Sequence, residues 1–275
     1  MSENARQVYF LSNGTAITAE TLGLSLLTQF PGHQFQTRTI PFIDTFEKAH
    51  SISTEIDRNI DEANMLPIVI CTMADPDLIK IINQSKALVI DPLGEYLPRL
   101  QKVLDAQPLQ PGQSHRIVNP SLYDSRIEAI DYTMKHDDGG RTQQYDEADI
   151  ILIGVSRSGK TPSCLYLALQ FGLKAANYPI TEEDLGFETL PEPIKAFKER
   201  LYGLTTDLNR LVSIRQVRRP DSKYSSIEQC RYELRAVEEM YQRHKIAYIN
   251  TSEMSVEEIS AHIIRDTGLH RMELL

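Results

Sequence analysis

The eight residues Gly154-Val-Ser-Arg-Ser-Gly-Lys-Thr161 restrict the possible folds more than any other part of this chain. They form a complete G-x-x-x-x-G-K-[ST] pattern, preceded by the apolar run Asp149-Ile-Ile-Leu-Ile-Gly154 and followed by a helix-forming stretch, Thr161–Phe171, with Pro162 in its first turn. The two glycines let the backbone curl so that successive N–H groups and a helix N-terminus face phosphate oxygens. Lys160 adds a positive charge there, and the Thr161 hydroxyl can ligate magnesium. Average composition produces such a pattern in on the order of one chain in a hundred of this length, and the strand-to-helix context lowers that further. Gly154, Val155, Ser156, Arg157, Ser158, Gly159, Lys160 and Thr161 are therefore read as a phosphate-binding P-loop.

A strand, a glycine loop and a helix in that order imply a parallel α/β sheet, and the rest of the chain supports one. From Val8 to about Ala106, strand-like runs (Val8–Leu11, Phe35–Pro41, Pro67–Thr72, Leu88–Asp91) alternate with helix-like ones (Ile17–Phe30, Phe46–Asn64, Pro76–Ser85, Gly94–Ala106). Asp75-Pro76 supplies an N-cap followed by proline at the first helical position. Residues 107–120, with Pro108, Pro111, Gly112 and Pro120, read as a linker. The expected organisation is α/β throughout: an N-terminal open parallel-sheet domain (1–106), then a P-loop α/β domain (121–275) opened by a helix through Leu122, Ile127, Ile130 and Met134.

Past Ala175–Ile180, expected as a strand, the C-terminal third reads as mostly helical. Its expected features are a helix over 208–217, a capping box at Ser225–Glu228, a strand at Ile246–Ile249 and a second capping box at Ser255–Glu258.

Composition excludes several classes. With 29 basic against 38 acidic residues the chain carries a formal charge of −9, which disfavours nonspecific nucleic-acid binding. No apolar run approaches the roughly 20 residues of a membrane span, and Met1–Gln7 has no basic n-region of a secretory signal, so a cytoplasmic protein is expected. Cys71, Cys164 and Cys230 are widely spaced and odd in number, which suits reduced thiols rather than disulfides or a zinc site.

The pair Asp137-Asp138 in His136-Asp-Asp-Gly139, expected to lie close to the loop in space, can hold a metal or accept a proton; a solvated helix end is the alternative, but adjacent acids there oppose the helix dipole. His136 carries a weaker signal. An ATPase-type aspartate at a strand end is poorly represented. Asp91 follows an apolar run in the other domain and precedes Pro92, so it reads as a turn residue, and Ile246-Ala-Tyr-Ile-Asn250 ends in asparagine. Ser12-Asn-Gly-Thr15 reads first as a turn and helix cap, with anion binding as the alternative. Arg215, Arg218, Arg219, Lys223 and Arg231 read as a solvated basic face, with a phosphate or acidic-surface grip as the alternative.

Six segments carry a resemblance to a known family: Ser12–Glu20; Ala129-Ile-Asp-Tyr-Thr133 with His136–Gly139; Ile153–Pro162; Leu167–Pro179, ending Ala175-Ala-Asn-Tyr-Pro179; Tyr202-Gly-Leu-Thr205; and Ser222-Lys-Tyr224 with Gln229-Cys-Arg231. Over nearly its whole length the chain resembles the kinase–pyrophosphorylase family, whose bacterial members regulate phosphoenolpyruvate synthase and whose plant members regulate pyruvate, phosphate dikinase.

The resemblance implies a bifunctional enzyme. It would phosphorylate a threonine of the synthase with ADP as donor and AMP as product. It would reverse the modification by attack of inorganic phosphate, releasing pyrophosphate. It further implies nucleotide binding at Gly154–Thr161, charge stabilisation by Lys160, magnesium at Thr161, and proton acceptance or metal holding by Asp137 or Asp138. Oligomeric state stays open. Bacterial relatives carry aspartate where this chain has Asn13, so that position is not expected to supply an essential carboxylate.

Overall fold

The computed structural model describes residues 5–63, 65–108, 120–186 and 188–269. The chain divides into two compact units, Met1–Ile117 and Val118–Leu275. Of the segment read as a linker, 109–119 lie outside the described residues.

In the first unit, β1 (Arg6–Leu11) runs between β2 (Phe35–Ile40) and β3 (Ile68–Cys71), and β4 (Leu88–Ile90) pairs with β3. All pairings are parallel, in the order β2-β1-β3-β4. Val8 to Leu11 are buried without interruption because both faces of the strand are covered. Tyr9 and Leu11 pack with α2 (Phe46–Ala63) and α3 (Pro76–Ile82). Val8 and Phe10 pack on the other side with α1 (Ile17–Leu27). A further helix, α4 (Pro92–Leu104), follows β4.

The expected N-cap at Asp75 is present, its carboxylate accepting from the backbone of Asp77 and Leu78. Asp91 caps α4 by accepting from Gly94 N, as a turn residue would. Ser12–Thr15 differs from its expected capping role. Helix α1 starts after Ala16, in a left-handed conformation with no side-chain cap, while the Ser12 hydroxyl donates to Thr72 O and Asn13 Oδ1 accepts from Ala74 N. These side chains tie the end of β1 to the segment after β3.

The second unit begins with α5 (Pro120–Lys135) and has a second parallel sheet, β5 (Ile150–Gly154), β6 (Ala175–Pro179), β7 (Leu201–Thr205) and β8 (Tyr248–Asn250), in the order β6-β5-β7-β8. Ile151 and Ile153 face a cluster with Ile194 of α7 (Glu192–Lys195), Leu211 of α8 (Leu208–Arg218), and Leu234, Val237 and Tyr241 of α9 (Ile227–His244). Ile150 and Leu152 face Cys164 of α6 (Lys160–Tyr166) and Ile259 and Ile263 of α10 (Val256–Thr267). The strand order reverses between β5 and β7, and ligands of open α/β sheets bind beyond the carboxyl ends of strands at such a reversal. The Gly154–Thr161 loop leaves β5 at that point.

The C-terminal third is less helical than its pattern suggested. Leu201–Thr205, five consecutive buried residues, forms a central strand. Its short run with a glycine in the middle has no period of its own, and pairing with β5 and β8 decides it. Strand β8 starts two residues later than expected, because Ile246 N donates to Tyr241 O to close the preceding helix. The Ser225–Glu228 capping box is not formed. Ser225 closes a turn with Ser222, and Ser226 caps α9 by accepting from Gln229 N. The box at Ser255–Glu258 is formed as expected. Helix α6 covers only part of Thr161–Phe171, giving way to a wider π turn over Leu167–Phe171 before Gly172.

Candidate active site

Two glycines shape the Gly154–Thr161 loop for different reasons. A Cβ on Gly154 would lie 2.5 Å from Leu204 O and 2.9 Å from Ser158 Oγ, so only glycine lets β5 pass this close to β7. Gly159 needs φ of 94° to turn the chain into α6, and nothing crowds it. Arg157, at the exposed tip, is also left-handed, with φ of 76°.

Lys160, the first residue of α6, is buried, and its Nζ donates to Gly154 O and Val155 O at 3.0 Å each. The side chain thereby folds back along its own loop. Burial pushes its pKa down to about 8, partly offset by the carboxylates of Asp138 and Asp137.

The next residue connects the loop to the acidic pair. Thr161 Oγ1 donates to Asp137 Oδ1 at 2.8 Å. Asn177, buried in β6, donates through Nδ2 to the same carboxylate oxygen and accepts from Asp138 N at 3.1 Å. One amide therefore sets both aspartates. Asp138 is held with φ of 48° and stays exposed, whereas Asp137 is partly buried. His136 points elsewhere: it is buried, stacked on the Tyr132 ring at 3.8 Å, and donates through Nδ1 to Tyr132 O at 2.6 Å. It anchors the turn from α5 into the aspartates.

A cavity of about 660 Å³ collects these groups. Asp137, Asp138, Lys160 and Thr161 line it together with Ser156, Arg157 and Gly159, and Arg218, Arg219 and Tyr224 complete the wall. A smaller cavity of about 310 Å³, lined by Thr133, Met134 and Leu165, shares Asp137 and Thr161 with the first. Of the remaining loop residues, Val155 and Ser158 are buried and Gly154 packs against β7.

The five basic residues of the C-terminal part separate. Arg218 and Arg219 reach the cavity. Lys223 pairs with Glu182, and Arg231 is exposed. Arg215 is neither solvated nor placed to grip a ligand, which corrects both sequence readings of it. With no exposed side-chain surface, it pairs with Glu233 at 2.6 Å, donates to Ser156 O at 3.1 Å and Tyr224 O at 3.1 Å, and lies 4.3 Å from the centre of the Tyr224 ring. A helix-face pattern of basic residues cannot reveal that one of them turns inward to meet a glutamate eighteen positions on.

Asn177 is the site residue whose role sequence reasoning missed. Its signal was an amide inside Ala175-Ala-Asn-Tyr-Pro179, a strand that is otherwise largely apolar.

Among the described residues no group of three or more His, Cys, Asp and Glu side chains is placed to hold a metal ion. The Thr161 hydroxyl and Asp137 carboxylate nonetheless fit magnesium, which is commonly held by one or two protein oxygens with substrate phosphates and water. No helix among the described residues is long and apolar enough to cross a membrane.

The kinase/pyrophosphorylase family model matches residues 8–264. A protein of Legionella pneumophila (strain Corby) named "Putative phosphoenolpyruvate synthase regulatory protein" is 49% identical over 267 residues, covering 97% of this chain and 98% of the relative. Proteins of the same name from Acinetobacter baylyi and Pseudomonas aeruginosa (strain LESB58) are 49% and 46% identical, each over 97% of this chain and 96% and 97% of their own lengths. Matched by family model and relatives over nearly its whole length, the chain belongs to the kinase/pyrophosphorylase family.

Proposed function

We propose that this protein is a cytoplasmic bifunctional regulator of phosphoenolpyruvate synthase, the enzyme named in its relatives, acting as an ADP-dependent threonine kinase and a phosphate-dependent pyrophosphorylase. The observation that carries this reading is the single cavity in which a P-loop lysine, two arginines and a fixed pair of aspartates meet. A diphosphate terminus, a phosphate ion and pyrophosphate all need the same cradle of N–H groups and positive charge.

In the kinase direction the threonine oxygen attacks the β-phosphorus of ADP. The bond to the bridging oxygen breaks, AMP leaves, and Asp137 or Asp138 accepts the threonine proton. Lys160 leaves its loop carbonyls to meet the phosphates, and the loop N–H groups stabilise the developing charge. In the other direction an oxygen of inorganic phosphate attacks the phosphothreonine phosphorus. The threonine oxygen departs with a proton and pyrophosphate forms. Magnesium, held by Thr161 and Asp137, would neutralise phosphate charge in both directions.

The modification adds about −1.5 to −2 charge to its target, enough to obstruct phosphoryl chemistry at an adjacent site.

The test incubates purified protein and synthase with β-labelled ADP freed of ATP and, separately, with γ-labelled ATP freed of ADP, an adenylate-kinase inhibitor being present in both. Label on a synthase threonine from ADP, released as pyrophosphate on adding phosphate, is the expected result. Faster transfer from ATP would identify a conventional kinase. Nucleotide binding without transfer would leave a nucleotide-sensing module.

A further inference from the structure

The motif Ser222-Lys-Tyr224 has no part in the phosphoryl chemistry above, yet its tyrosine lines the cavity. Tyr224 is the sole aromatic side chain among the described lining residues; its neighbours are charged, hydroxyl-bearing, glycine or proline. The ring is held from two sides. Its hydroxyl bonds the Ser156 hydroxyl at 2.9 Å, and the guanidinium of fully buried Arg215 lies 4.3 Å from the ring centre. Arg215 is itself fixed by Glu233 and donates to the backbone oxygen of Tyr224. An aromatic plane immobilised in advance loses little entropy when a flat ligand settles on it.

Charge and size point the same way. Arg157, Lys160, Arg218 and Arg219 bring four cations to the wall against Asp137 and Asp138, which suits a polyanion. A volume of about 660 Å³ lies within the roughly 300–1,000 Å³ of sites that enclose whole organic ligands, and bare phosphate needs no aromatic surface.

We propose that Tyr224 is the platform on which the purine base of the nucleotide stacks, making it the residue that separates nucleotide from inorganic ligands of the same cradle. The inference rests on the nucleotide-donor reading and adds the base subsite to it. ADP and AMP use both the cradle and the platform, whereas phosphate and pyrophosphate use the cradle alone. The Ser156 bond also couples the ring to the loop, so two substitutions are needed to separate stacking from positioning.

The experiment titrates ADP, AMP and pyrophosphate into the full-length protein, as wild type, Tyr224→Phe and Tyr224→Leu, by calorimetry. Loss of a stacking partner weakens binding by roughly tenfold or more. Tyr224→Leu should show that loss for ADP and AMP and keep pyrophosphate affinity within about twofold. Tyr224→Phe should keep all three ligands near wild type. Equal losses for pyrophosphate and ADP would overturn the proposal, since a loop-positioning role alone predicts them. Unchanged ADP affinity in Tyr224→Leu would also overturn it.

A second readout needs no folded leucine variant. The chain has no tryptophan, so fluorescence of a 2-aminopurine nucleoside diphosphate can be followed directly. Quenching on binding to wild type and Tyr224→Phe is expected, and binding without quenching would contradict stacking. Wild-type protein that binds pyrophosphate but no nucleotide would sink the donor reading itself, an outcome distinct from either failure of the platform.

Discussion

Lys160 is the buried cation of the proposed cradle. Its pKa, lowered to about 8 by burial, means that it loses its proton as pH rises through that value, where an exposed lysine would remain charged. If the charged form is the one that binds, affinity for ADP, which is fully ionised in this range, should fall as pH rises above about 8, approaching tenfold per unit. Bound anion restores the cation, so binding above that pH should take up a proton, visible as a buffer-dependent heat. Lys160→Arg keeps its charge throughout, and any residual affinity should be flat from about pH 7.5 to 9.5. A wild-type affinity equally flat would show that the lysine stays charged. The role proposed for the aspartates belongs to the chemical step that follows binding. Asp137→Asn should lower kinase turnover by about a hundredfold or more while changing ADP affinity less, a split that steady-state and binding measurements resolve. Sequence was informative for these residues because spacing alone brings Gly154, Lys160 and Thr161 to one turn, and because two acids at a helix end are an electrostatic misfit. Asn177 and Arg215 stayed hidden because their partners, Asp137 and Glu233, become neighbours only in the folded chain.

Elements fold legibly where their pattern is local. The βα alternation of the first unit and the β5–loop–α6 passage could be read directly, since strand-like runs there, most of them apolar, alternate with helix-like stretches or turn signals. Strand β7 could not be, since all five of its residues are buried by partners distant in sequence. In α5, Ile127 and Met134 suggested the helix correctly, yet they are exposed, and Ala129, Tyr132 and Thr133 form the buried side. The joint between α8 and α9 offers a prediction at this scale. Arg215→Met removes one member of a buried pair whose glutamate keeps only 12% of its side-chain surface exposed. It should destabilise the protein by about 3 kcal/mol, measured as a lower urea midpoint. Replacing both partners, Arg215→Met with Glu233→Met, should recover most of that stability because no buried charge is left alone. Nucleotide affinity should be weakened in the single and the double variant alike, since in both Ser156 O and Tyr224 O have lost their donor. Recovery of both properties together would mean that Arg215 stabilises the joint without ordering the loop.

At the scale of the whole molecule, the central strands of each sheet are covered on both faces by helices of their own unit. Tyr9, Leu11 and Val69 lie on one side of the first sheet, and Val8, Phe10 and Ile70 on the other. Ile151 and Ile153 are backed by α8 and α9 in the second, and Ile150 and Leu152 by α6 and α10. A segment that buries both faces of a sheet with its own residues has the core required to fold alone. Every residue proposed to handle phosphate, base or proton, from Asp137 to Tyr224, falls in the second unit. Residues 118–275 expressed by themselves should therefore unfold in one cooperative urea transition and bind ADP within about fivefold of the full chain, a difference of roughly 1 kcal/mol. Lys160→Ala in the same fragment should abolish that binding, which ties the signal to the cradle. A folded fragment with ADP affinity reduced a hundredfold would mean that the first unit contributes to the nucleotide site. A fragment without a cooperative transition would mean that the second core depends on the first despite having both its faces filled.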